Sequence, residues 1–203
     1  EQLLNLGHFV NITTNGTISN RISELIELDP DLRNRLHIAF SYHYDELTRT
    51  KNLDKFWNNV RRVKDNGISF VVQCNLCDSY IDKIDKIKSD CIDNIGTLPQ
   101  FVATRDKSQS YYQILTSNLS KYIEVGKSTG SFLFDFTMNN INKKRCNFCY
   151  AGAWSYKLFL ESGDLMRCYA EPVFYNIFQD INEPIPQEPV GFNCKSDFCL
   201  NAS

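Results

Sequence analysis

No apolar run in these 203 residues approaches the roughly 20 that a membrane-spanning helix needs. The opening stretch, Glu1 to Val10, lacks the basic-then-apolar layout of a secretory signal. It also lacks an initiating methionine and begins inside a pattern, so further residues are expected before Glu1. Charge of either sign is not in excess: 24 acidic residues against 22 basic ones leave a net charge of −2. That balance gives no electrostatic case for nucleic acid or an anionic membrane as partner. What remains is ordinary globular material, with 42% apolar and 23% charged residues and many Phe and Tyr. The length suits one sizeable domain, or a larger unit with a small appendage.

Short apolar runs alternate with helical patterns up to about residue 125. Phe9 to Thr13 reads as a strand, followed by the turn signal Asn15-Gly16 and by Ile22, Leu25 and Ile26 at helical spacing. Leu36 to Phe40 is the next strand. Leu53, Phe56, Trp57, Val60 and Val63 then mark one buried helix face, which Asn66-Gly67 ends. Ile68 to Val72 is nearly continuous in apolar residues, as in a strand covered on both faces. Ile81, Ile84, Ile87 and Cys91 repeat along another helix, Gly96 closes it, and Phe101 to Thr104 forms a fourth strand. Tyr111 to Val125 reads as a weaker helix. Such alternation predicts right-handed βαβ units and a parallel sheet, either part of a barrel or an open doubly wound sheet. After Gly130 the helical period fades while Cys, Pro and aromatic residues rise. This places a boundary near 128, with units 1–128 and 129–203.

Eight cysteines are the informative feature: Cys74, Cys77, Cys91, Cys146, Cys149, Cys168, Cys194 and Cys199. An even count, with glycosylation-type triplets at Asn11, Asn15 and Asn118, would also fit a secreted disulfide protein. Disulfide density belongs to domains too small for a core, however, and the first 130 residues can build one. Five of the eight lie from Cys146 onward. Cys149 and Cys168 stand in the pattern C-x13-G-x4-C. Trp154–Leu160 and Leu165–Tyr169 are predicted strands around a Ser162-Gly163-Asp164 turn, a hairpin able to bring its two outer cysteines together. Cys194 and Cys199 follow on a Pro-rich segment that buries too little to hold itself in place. Four thiolates suit Zn²⁺ or an iron–sulfur cluster. Zinc ribbons bring paired C-x2-C knuckles. Here Cys146-x2-Cys149 has no second knuckle nearby, and Cys74-x2-Cys77 lies far off. Cys91 reads as a buried small hydrophobe. Cys146 stays open as a spare thiol or fifth ligand.

Taken together, Cys149-Tyr-Ala-Gly152, Ser162-Gly163-Asp164-Leu-Met-Arg-Cys168, Tyr175-Asn-Ile-Phe178, Cys194 and Cys199 resemble the SPASM or shorter twitch domain that follows the barrel of radical S-adenosylmethionine (SAM) enzymes. The resemblance implies an auxiliary [4Fe–4S] cluster on Cys149, Cys168, Cys194 and Cys199. Thr13-Thr14-Asn15-Gly16-Thr17 is similar to the turn after the third barrel strand, and Leu36 to Ser41 to the fourth strand. The implied fold is α/β: strands three to six of a partial (β/α) TIM-like barrel, followed by a small cysteine-rich β-hairpin domain. Thr14, Asn15, Ser41 and Arg105 become candidate SAM contacts at the barrel mouth, Arg105 through the carboxylate. His43 and Gln73 lie near the same mouth.

The family's radical-generating motif, C-x3-C-x2-C, occurs nowhere in this sequence. The resemblance therefore implies reductive SAM cleavage and hydrogen abstraction only together with an N-terminal segment that carries it. It further implies a cytoplasmic setting, a substrate that could be a peptide, and an electron donor such as flavodoxin or ferredoxin. The competing expectation is a non-catalytic, zinc-stabilised binding or scaffold module.

Overall fold

The computed structural model describes residues 1–106, 111–180 and 182–199. Two compact units emerge, Glu1–Arg105 with Ile114–Thr137, and Asp106–Gln113 with Met138–Ser203.

The first unit begins with a single helical turn, α1 (Gln2–Asn5). It then alternates β1 (Val10–Thr14), α2 (Ser19–Ile26), α3 (Pro30–Arg33), β2 (Leu36–Ser41), α4 (Tyr44–Arg49), α5 (Leu53–Asp65) and β3 (Ser69–Leu76). A 3₁₀ turn (Asp78–Lys83), α6 (Ile84–Ile95) and β4 (Gln100–Ala103) follow. All three neighbouring strand pairs are parallel, and the order is β1-β2-β3-β4 with no reversal. The fold class is thus α/β with a four-stranded parallel sheet among helices.

One face of that sheet carries the core. Leu36, Ile38 and Phe40 of β2 are buried on the same side as Val72, Cys74 and Leu76 of β3. Helix α5 packs on β3 with α2 and α6 as neighbours, so three crossover helices share one layer. Phe56 of α5 meets Phe40 edge-on at 5.9 Å and stacks on Tyr42 at 5.2 Å, while Trp57 lies 4.9 Å from the same Tyr42 ring. The Tyr42 hydroxyl donates to Asp90 of α6 at 3.0 Å, and Lys86 pairs with that carboxylate at 2.5 Å. Burial and the adjacent carboxylate both push the Tyr42 phenol far above its ordinary value, so it stays a neutral donor. Cys91 sits fully buried on α6, its thiol pushed up to about 12 by desolvation.

The opposite face is polar and partly exposed. Asn11, His37 and Ser69 stand in one register row, and His37 Nδ1 lies 2.8 Å from Ser69 Oγ. Ser41, Gln73 and Gln100 form another row. The apolar run Ile68 to Val72 suggested a strand covered on both faces. In β3, Val72, Cys74 and Leu76 are buried, whereas Ser69, Val71, Gln73 and Asn75 are not. The side-chain period of two governs, and the apolar run does not.

Beyond β4 the chain departs from expectation. The stretch from Tyr111 is not a helix at its start: β5 (Arg105–Asp106) and β6 (Gln113–Ile114) form a two-stranded ribbon that carries the chain between the units. Helix α7 (Leu119–Ser128) begins only where Asn118 caps it, its side chain accepting the Lys121 N–H. A further helix, α8 (Phe132–Asn140), occupies a region for which the fading helical period predicts none. Its Phe134 ring packs directly on Gly126 of α7 and tilts against Tyr122 at 5.8 Å.

A β-carbon added at Gly126 would lie 1.9 Å from the Phe134 ring. Alanine gains up to about 1 kcal/mol over glycine in a helix interior, while overpacking a filled core costs about 1–3 kcal/mol. Gly126→Ala should therefore lower stability despite its better helix propensity. Urea unfolding of this variant, and of Gly126→Ala with Phe134→Leu, checks the sign. The double variant should recover much of the loss.

Candidate metal centre

The second unit holds a three-stranded antiparallel sheet, β7 (Lys157–Leu158), β8 (Asp164–Met166) and β9 (Val173–Asn176). The strands around Ser162-Gly163-Asp164 are shorter than the sequence predicts, and Val173–Asn176 adds a third strand that the sequence pattern does not predict. Phe159 and Asp164 close the turn with an N–H to carbonyl bond of 2.9 Å. Cys168 lies two residues past the end of β8.

Cys149 enters by another route. It exchanges two backbone hydrogen bonds with Gly191, each 2.9 Å, as an antiparallel bridge. The Val190 N–H adds a bond to the Ala151 carbonyl at 2.9 Å. These bonds bring the Pro-rich tail against the residues around Cys149. Arg167 secures the same tail through Glu188 at 3.0 Å, and the Tyr156 hydroxyl lies 3.1 Å from the Pro186 carbonyl. The tail's ordering thus has polar ties of its own, which the sequence did not reveal.

Cys149, Cys168, Cys194 and Cys199 line one small cavity of about 50 Å3, walled by Ala151, Tyr169, Ala170, Ser196 and Phe198. The Ala170 N–H donates to Cys168 Sγ at 3.3 Å. Burial raises the Cys168 thiol above its ordinary value, the Ala170 and Glu171 N–H groups oppose this, and Glu171 and Cys194 add to the rise. That ordering describes a half-buried sulfur with donors already aimed at it. The four sulfurs surround a cavity and do not meet at a point. Among the described residues, no three His, Cys, Asp or Glu side chains converge closely enough to hold a single metal ion.

The other cysteines separate from this set. Cys146 is exposed and borders a different, larger cavity that it shares with Cys194. Cys74 is buried in β3, and desolvation drives its thiol well above the ordinary range. Cys77, just beyond that strand, lies 3.3 Å from Ser79 Oγ, which donates to Asp45 at 2.9 Å.

The residues expected to meet SAM fall at the C-terminal edge of the four-stranded sheet, with different surroundings. Thr14 ends β1 in register with Phe40, and its hydroxyl accepts the Gly16 N–H at 3.1 Å. Asn15 holds the next turn, accepting from the N–H and hydroxyl of Thr17. Both side chains therefore already serve the local turn. Ser41 ends β2 opposite Gln73, on the polar face, where Thr14 is not. Arg105 opens β5 just beyond β4, and His43 is exposed at the start of α4.

No protein-family model, curated protein or solved structure matches this chain significantly. The site therefore has to be argued from its own chemistry.

Sequence reasoning missed two contributors. The Ala170 N–H is a backbone donor and leaves no side-chain signature. The Cys149–Gly191 pairing joins positions far apart in sequence, with only an irregular, Pro-rich approach to mark it. Gly152, beside this bridge, adopts φ +93°, and a β-carbon there would meet the Glu188 carbonyl at 2.3 Å. Left-handed strain and a backbone clash each cost on the order of 1–3 kcal/mol. Gly152→Ala should release the segment after residue 180, read as faster limited proteolysis there, while the unfolding of the first unit stays unchanged.

Proposed function

We propose that this chain is the cluster-bearing portion of a radical SAM enzyme, with Cys149, Cys168, Cys194 and Cys199 as ligands of an auxiliary [4Fe–4S] cluster. The observation that carries the reading is that these four cysteines, drawn from separate segments, line one cavity. Four soft sulfurs are the donor set that iron–sulfur clusters take. A backbone N–H aimed at a ligand sulfur, as from Ala170 to Cys168, is the contact that tunes such a centre.

When bound, the cluster would supply one-electron transfer or a point of substrate attachment. The protein's own work is to hold and shield it. Ala151, Tyr169, Ala170 and Phe198 wall the sulfurs, and the Cys149–Gly191 bridge pins the tail to the segment that carries Cys149.

The first unit supports the same reading. A parallel sheet in sequential order, with its crossover helices in one layer, is how consecutive strands of a (β/α) barrel are arranged. In that arrangement the polar face bearing Ser41 and Gln73 looks inward, and the C-terminal edge with Thr14, Asn15 and Arg105 is where SAM and a substrate, possibly a peptide, would bind. An electron donor such as flavodoxin or ferredoxin would then act as partner in a cytoplasmic setting. Reductive SAM cleavage needs a C-x3-C-x2-C segment, which would have to come from sequence outside these residues. No helix among the described residues is long and apolar enough to cross a membrane.

Anaerobic purification tests the assignment. Iron and acid-labile sulfide in equal amounts, with a brown chromophore lost in Cys149→Ala and Cys168→Ala, are the expected result. A colourless protein with stoichiometric zinc would sink the cluster and leave the zinc-stabilised binding module. An unchanged spectrum in the two variants would refute the ligand set.

A further inference from the structure

Cys194 borders two cavities. One holds Cys149, Cys168 and Cys199. The other, about 360 Å3, is lined by Lys144, Arg145 and Cys146 from one segment and by Cys194, Lys195 and Asp197 from another. Three contacts show these segments running antiparallel. Cys149 and Gly191 exchange both backbone hydrogen bonds, Phe148 meets Phe192 edge-on at 5.3 Å, and Lys144 reaches Asp197 at 3.8 Å. Stepping outward from the Cys149–Gly191 pair, one residue each way gives Phe148 opposite Phe192, and three give Cys146 opposite Cys194.

In an antiparallel ladder, opposed residues alternate between hydrogen-bonded and non-hydrogen-bonded pairs. Continued as a regular ladder, the pairing would put Cys146 and Cys194 at a non-bonded position, for which Cα atoms stand about 4.5 Å apart, and the Lys144–Asp197 contact keeps the two segments side by side beyond the bridge. A disulfide accepts Cα separations of about 4.4–6.8 Å. The tail leaves strict pairing at a turn in which the Asn193 N–H bonds the Val190 carbonyl at 3.2 Å, so the Cys194 backbone is not locked by a ladder. Both thiols are exposed.

The geometry points to Cys146 and Cys194 as a disulfide-forming pair, oxidised by an anionic low-molecular-weight disulfide. Lys144, Arg145 and Lys195 line the same cavity and favour the approach of such an anion. In the balanced step, one cysteine sulfur attacks the small disulfide, giving a mixed disulfide and one released thiol. The second cysteine then displaces the remaining small thiol, so two protein thiols and one disulfide become one protein disulfide and two small thiols. The consequence rests on the ligand assignment proposed above. Cys194 held in a disulfide cannot be a ligand, so oxidation of this pair dismantles the four-thiol site.

The test incubates the anaerobically purified full chain with oxidised glutathione, alkylates the remaining thiols, and digests with chymotrypsin without reduction. Cleavage after Phe148 and Phe192 separates Cys146 from Cys149 and Cys194 from Cys168. The expected result is a peptide linking Cys146 to Cys194, with bound iron reduced about fivefold or more. Cys146→Ser should give no such link and keep its iron under the same treatment. Mixed glutathione adducts on Cys146 or Cys194 that never resolve into the linked peptide would overturn the pair. The link forming with iron fully retained would overturn its control of the site. If the link forms in a protein that binds neither iron nor zinc before oxidation, the pair stands and the cluster reading fails.

Discussion

The two hydrogen bonds between Cys149 and Gly191 are the constraint on which the second unit depends. Each is an ordinary backbone bond, with a net contribution of roughly 1 kcal/mol. Their importance lies in what they close. Without them, the tail carrying Cys194 and Cys199 would rest on the Val190–Ala151 backbone bond and on side-chain ties such as Arg167 to Glu188. Exposed ion pairs contribute about 0–1 kcal/mol and weaken in salt. The bridge also fixes the register that brings Phe148 to Phe192 and sets the strand direction on which the Cys146–Cys194 pairing rests.

The first unit is stabilised in a different way. Its sheet has one face filled by interlocking aromatics, Phe40, Tyr42, Phe56 and Trp57, and one face left polar. A buried tyrosine in such a cluster must satisfy its hydroxyl, and Asp90 does so from α6. That single bond ties the end of β2 to a helix two crossovers later. Asp78 does comparable work on the next loop, accepting from Thr116 and from the N–H and hydroxyl of Ser117. These donors hold its carboxyl below the usual range, so the tie persists until the solution is acidic enough to protonate it.

The parts of the fold governed by local periodicity were legible in the sequence. Leu53 to Val63 is one helix face, and the four parallel strands fall within a residue or a few of their expected places, because side-chain alternation and helix stops act over short distances. The failures occurred where a distant partner decides. The residues from Tyr111 pair as β6 before any helix begins, and Phe132 to Asn140 is helical through packing on Gly126, with no clean amphipathic stripe to announce it. At the cysteines, spacing drew attention to the C-terminal group and left Cys146 open, and the family resemblance pointed to Cys149, Cys168, Cys194 and Cys199, which line one cavity. The backbone donor at Ala170 and the second cavity behind Cys194 were invisible, since both depend on register.

The chain has two tryptophans, and the fold assigns one to each unit. Trp57 is buried between Tyr42 and Phe56, whereas Trp154 is 78% exposed and stacks on Tyr150 with ring centroids 3.9 Å apart. The two indoles therefore differ in emission colour and in access to an aqueous quencher such as iodide. Tyr150 is the residue after Cys149, so the quenchable fraction of the fluorescence reports on the cysteine site. The shielded fraction reports on the parallel sheet, and the chain carries separate optical probes of its two halves without any label.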